Sequence, residues 1–213
     1  MNAAFRRCLV AITLSRADAL GVSAREATQA WINQLVIGQQ LCPWAQAALP
    51  QMRICTVNFE ALKSTVEEEA VRLVEESDAI STTLCVLNDQ SLELSNFAAH
   101  YNTLDLGELP VDILAFHPQR LDEGPGCSSD PDDAAHYSVR SPFPLYQLLR
   151  QDDLAGARDE YAARQRQFAR GTPLPGALAL LNGNKARLRQ VGSSELARTL
   201  RSCSTSSSAG VAS

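Results

Sequence analysis

Two residues in this chain have the chemistry and the placement to act on a ligand. His117 follows the apolar run VDILAF (111–116) and precedes Pro118. An imidazole titrates near neutrality, so at the end of a strand it could move a proton or donate a hydrogen bond to a ligand. The proline behind it excludes helical geometry and stiffens the exit. The competing reading is a histidine satisfied by backbone groups. Arg140 precedes Ser141 and Pro142 in SVRSPFPLYQLLR. Serine at an N-cap and proline at the first helical position predict a helix start there, with Leu145, Leu148 and Leu149 as its apolar side. Free N–H groups, the positive end of a helix dipole and a forked guanidinium would together hold a phosphate or carboxylate. Tyr137 is counted with Arg140 and Ser141 in this substrate-binding set, and His117 is its candidate catalytic group. The competing reading of Arg140 is an ion pair with Asp130, Asp132 or Asp133 that pins the loop.

The other candidates are weaker. Cys42 in LCPWA would make a nucleophile, but it sits at a helix end, where the dipole raises a thiol pKa, and no neighbouring cation lowers it. Arg150, near the end of the short expected helix, is suited to packing its stem and binding C-terminal carbonyls. A metal site would need His117, His136, Cys127 and the aspartates at 130, 132 and 133 to converge, without any standard ligand spacing. G-x-S-x-G, P-loop and G-x-G-x-x-G patterns are absent, so no cofactor is named and nucleotide and serine-hydrolase readings have no support.

The elements that must position these residues alternate. Ser23 and Glu26 form a capping box, and Ala27, Trp31, Leu35, Gly38 and Leu41 recur at helical spacing as far as Pro43. RICTVN (53–58), TTLCVL (82–87) and VDILAF (111–116) read as strands. Between them, Leu62, Val66, Ala70, Leu73 and Val74 mark one helix, and Leu94, Phe97, Ala98 and Tyr101 another. Such alternation predicts an α/β domain whose small, mostly parallel sheet of three or more strands is covered by helices, with a ferredoxin-like α+β sandwich as the alternative. Residues 117–141 form a long loop, and helices are expected from Asp153 toward Gly171 and within ALALLNGNKARLRQV.

The 213 residues suit one domain, taken as 23–192, between a basic arm at 1–22 and a serine-rich tail at 193–213. The arm carries Arg6, Arg7 and Arg16 before the first acidic residue. It suits an organellar, mitochondrial import peptide, and without import the expectation is a cytoplasmic protein. No apolar run reaches membrane-spanning length. A net charge of −5 argues against nucleic acid, and the Lys185, Arg187, Arg189 cluster reads as a solvated helix face. Six scattered cysteines read as reduced thiols.

VIGQQLCPWA, STTLCVL, LAFHP, DDAAHYSVRSPFPLYQLLR and NGNKARLRQVG occur here in that order. Together they resemble a bacterial-type family known as domain of unknown function family 1415, over roughly residues 23 to 192. The resemblance implies that Cys42, Pro43, His117, Pro118, Tyr137, Arg140, Ser141, Pro142, Pro144 and Arg150 match the family pattern, and it brings no activity with it. This chain has His136, Ser138 and Val139 where the pattern has Asn, Thr and Asn, and Gln147 and Gln151 where it has His and Glu. Two functions remain open. One is an enzyme or small-molecule-binding protein acting on an anionic metabolite. The other is a non-catalytic accessory subunit of a larger protein complex.

Overall fold

The computed structural model describes residues 22–168 and 176–205. Most of the expected import peptide lies outside them. The Ser23 hydroxyl accepts the Glu26 N–H, and the Glu26 carboxylate accepts the Ser23 N–H, starting α1 (Ala24–Trp31). A π-helical turn, Ile32–Ile37, continues it. Gly38 follows this turn at a place only glycine fits, because a Cβ there would stand 2.2 Å from the Gln34 carbonyl oxygen. After α2 (Ala45–Ala48) come β1 (Met52–Val57), α3 (Leu62–Glu75), β2 (Thr82–Leu87), α4 (Leu94–Tyr101) and β3 (Val111–Phe116). The remaining described elements are β4 (Leu145–Arg150), α5 (Gln151–Phe168), α6 (Gly176–Val191) and α7 (Ser193–Thr205).

The fold is mixed α/β, and the sheet corrects the expectation of mostly parallel strands. Its order is β1-β2-β4-β3, with β1 and β2 parallel and β4 antiparallel to both neighbours. The three strands read from the sequence do share one direction, as helical crossovers require. The fourth, β4, replaces the expected helix after Ser141. As a strand it sends successive side chains to opposite faces, so Leu145 and Tyr146 are both fully buried, each gaining roughly 1.5–3 kcal/mol from removal of apolar surface.

Two cores flank the sheet. On one face Ile54, Leu84, Val86 and Leu145 meet Trp31 and Leu35 of the N-terminal helix, Leu188 of α6 and Leu196 of α7. On the other, Val57, Cys85, Leu87, Tyr146 and Leu148 meet Val66, Ala70 and Leu73 of α3 and Phe97 of α4. Helices thus cover both faces, unlike the one-sided sandwich. Residues 193–205, expected as the start of a tail, are helix α7, because Leu196 and Cys203 find cover in the first core. Both edge strands have outward carbonyls closed by side chains. Arg25 binds the Ile54 carbonyl on β1, while Arg120 binds that of Ala115 and the Tyr101 hydroxyl that of Ile113 on β3. Among the described residues no helix is long and apolar enough to cross a membrane.

Candidate functional site

The loop from 117 to 141 carries the candidate residues, and its fold decides what they can do. His117 is 1% exposed, with its ring 5.3 Å from that of Phe97. Its Nε2 donates to the Leu92 carbonyl at 2.9 Å, and its Nδ1 accepts the Gln119 N–H at 3.1 Å. These bonds fix the neutral tautomer, because protonating Nδ1 would set two N–H groups against each other. Burial holds the pKa below 6.5, against the opposing Leu92 carbonyl and Glu93 carboxylate, with Arg120 assisting burial. His136, fully buried, repeats the design, accepting the Asp122 N–H and donating to the Asp130 carbonyl, both at 2.9 Å.

One consequence is measurable. With the folded pKa of His117 lowered, the unfolded chain binds the extra proton first, so stability rises with pH. That contribution is complete above about 6.5 and declines as pH falls from there toward the depressed folded value. Denaturant titrations between pH 7 and pH 5 are expected to show a falling unfolding free energy. His117→Gln should flatten part of that slope. An unchanged slope would contradict the buried neutral imidazole.

Arg140 does not meet a helix N-terminus, because β4 stands where that helix was expected. Its Nε donates to the Arg120 carbonyl at 3.1 Å and an Nη to that of Pro131 at 3.0 Å, with the guanidinium 4.9 Å over the buried Tyr137 ring. Nor do the aspartates hold it, since Asp133 pairs with Arg189 through contacts of 2.9 and 2.6 Å. Ser141, fully buried, is no cap: its hydroxyl donates to the Phe143 carbonyl at 2.6 Å. Arg150 does bind a helix C-terminus, but that of α3 and not its own. It donates to the Leu73 carbonyl at 3.0 Å and to that of Ile80 at 2.6 Å, and pairs with Asp153 at 2.7 Å. Cys42 is exposed, yet the packing around its sulfur pushes the thiol up.

Within the basic cluster on α6, Lys185 departs from the solvated face expected of it, while Arg189 is exposed. Lys185 is 2% exposed, its ammonium 3.3 Å from Asp122 and donating to the Pro125 carbonyl at 2.7 Å. Asp122 also accepts the Gly124 N–H at 2.8 Å and the Ser138 hydroxyl at 2.9 Å. Burial opposes its ionised form, but these donors and Lys185 outweigh it and hold the carboxyl below its usual value. Arg187 donates to the carbonyls of Gln39 and Gln40, and Arg189 to that of Gly126. Three cations of α6 therefore bind the long loop and the turn after the π-helical segment. Sequence offered one signal for Lys185, its i, i+3 spacing from the buried Leu188.

Two surface concavities accompany this arrangement. One, of about 340 Å³, is lined by Arg25, Arg53 and Glu76 beside β1. The other, of about 570 Å³, runs along β3 past Tyr101, Leu106 and Leu114. Neither includes His117 or Arg140. Among the described residues no three His, Cys, Asp or Glu side chains gather as a metal site. The geometry holds the loop in place: its imidazoles bond main-chain groups, and Lys185 and Arg189 pair with its carboxylates.

No curated protein and no solved structure matches the chain. A family model does, over residues 23–172, which contain β1 to β4, His117 and the whole of the 117–141 loop. The chain belongs to the family described as protein of unknown function (DUF1415).

Proposed function

We propose that this chain is a non-catalytic accessory subunit of a larger protein complex. The observation that carries the reading is the commitment of His117 and Arg140 to main-chain groups, with both imidazole nitrogens and two guanidinium donors already bonded. A general acid or base needs a ring nitrogen within reach of the substrate proton, and an anion site needs donors turned outward. In this reading the loop is a shaped surface, and the substitution of Val139 for a polar residue is consistent with a site relieved of chemistry. Import into an organelle is part of the proposal, resting on the basic arm.

Isolation of the tagged protein under native conditions should yield a stable assembly well above the 23.1 kDa of one chain. A thermal-shift screen with phosphorylated and carboxylate metabolites should show no stabilisation that Arg140→Ala removes. An Arg140-dependent shift, or a monomer without partners, would overturn the proposal. Mass spectrometry of the mature N-terminus tests the import element, which an intact Met1 in a cytosolic pool contradicts.

A further inference from the structure

The interface between β1 and β2 holds a second kind of chemistry. Cys55 and Cys85 are register partners on neighbouring parallel strands and lie on the same face of the sheet, beneath α3. Adjacent strands run about 4.7–4.9 Å apart, inside the roughly 4.4–6.8 Å Cα separation that a disulfide spans. The two sulfurs are 3.4 Å apart. Their surroundings differ. Cys85 is fully buried between sheet and helix, whereas Cys55, nearer the edge strand's open side, is half-buried.

The pair divides its proton unevenly. The hydrogen bond between the two sulfurs holds the Cys55 thiol below its ordinary value against burial, and the same bond together with burial pushes Cys85 up. The more accessible sulfur is thus the readier thiolate, and the buried one stays a thiol at its side.

We propose that Cys55 and Cys85 are a redox-active dithiol that hydroperoxides convert into a disulfide bridging β1 and β2. The Cys55 thiolate attacks the distal oxygen of the hydroperoxide. The O–O bond breaks, the alkoxide leaves and takes up a proton as the alcohol, and Cys55 becomes a sulfenic acid. Cys85 then attacks the Cys55 sulfur. The S–O bond breaks, and the departing hydroxide takes the Cys85 proton to become water. One dithiol and one hydroperoxide give one disulfide, one alcohol and one water. Two electrons pass from sulfur to oxygen. The inference stands independently of the accessory-subunit reading.

Hydrogen peroxide on the reduced full-length protein tests it. After denaturing alkylation and digestion, a cross-linked peptide pair containing residues 55 and 85 should appear, about 2 Da lighter than the two thiol peptides together. Dithiothreitol should reverse it. Cys85→Ser should abolish the cross-link and leave a Cys55 sulfenic acid that a cyclic dione captures. Recovery of Cys55 and Cys85 as free thiols in the wild type, under a dose that oxidises the exposed Cys42, would overturn the proposal. So would a cross-link running only to another cysteine. The wild-type arm needs no variant to fold.

Discussion

Lys185→Met is expected to destabilise the protein by about 3 kcal/mol, the low end for leaving one member of a buried ion pair without its partner. Methionine keeps the length and apolar character of the stem, so the loss falls on the ammonium. Without it, Asp122 keeps the Gly124 and Ser138 donors but carries its charge at a site where its side chain is 12% exposed. The Pro125 carbonyl also loses its donor. Adding Asp122→Asn removes the stranded charge and retains an acceptor for the Gly124 N–H, so the double variant should recover roughly 1 kcal/mol of the loss. Urea unfolding with fluorescence detection measures both. A single variant within about 0.5 kcal/mol of wild type would return Lys185 to the solvated face that its sequence context suggested.

The second large effect is expected from Tyr146→Ala, at about 3–5 kcal/mol, the range for truncating a buried aromatic side chain. Tyr146 is fully buried in the central strand β4, stacked on Phe97 with ring centroids 4.6 Å apart. Its hydroxyl donates to the Phe97 carbonyl at 3.1 Å and lies 3.1 Å from His100 Nδ1. Truncation therefore opens a cavity and removes the extra donor to the Phe97 carbonyl. The helix expected from the sequence would place Tyr146 off the apolar side drawn by Leu145, Leu148 and Leu149, where substitution is nearly neutral. The measurement thus separates the two secondary structures as well as testing a contact.

That separation shows how much was legible beforehand and why the rest was not. TTLCVL and VDILAF coincide with β2 and β3, and the Leu94 to Tyr101 face coincides with α4, because each run shows one periodicity and has turn residues at its ends. LYQLLR shows two. Leucines at 145, 148 and 149 fit a helical face, while a six-residue strand covered on both sides needs no polar alternation to betray it. Ser141 and Pro142 then tipped the reading toward a helix start. In the structure the serine bonds inside its own turn. The first-turn backbone N–H groups expected beside Arg140 are absent with that helix, since β4 occupies its place.

The partners expected for the candidate residues are not the ones the fold gives them. His117 and Arg140 both secure the Arg120 region, one by its carbonyl and the other by its guanidinium. The backbone acceptors that occupy them come from residues 92, 120 and 131, and side-chain types do not reveal such partners. Lys185 was hidden for another reason. Charge was read as exposure, whereas one ion pair and one carbonyl make its burial tolerable. Serine-rich composition similarly obscured Leu196 and Cys203 in α7.

The order of strands has a consequence for how this chain folds during synthesis. β4 is the last strand to leave the ribosome, yet it lies between β2 and β3. Its pairings join residues separated by 59–65 positions on one side and by up to 39 on the other, as Val86 with Leu145, Thr83 with Leu148 and Val111 with Arg150 show. Until residue 150 emerges, β1 and β2 can form a parallel pair through α3, while β3 has no neighbour to bond. Long-range closure of this kind is slow. An emerging chain therefore carries an unpaired apolar strand for the time taken to add about 35 residues, a few seconds at roughly 5–20 residues per second, and that interval is when a chaperone would have something to hold.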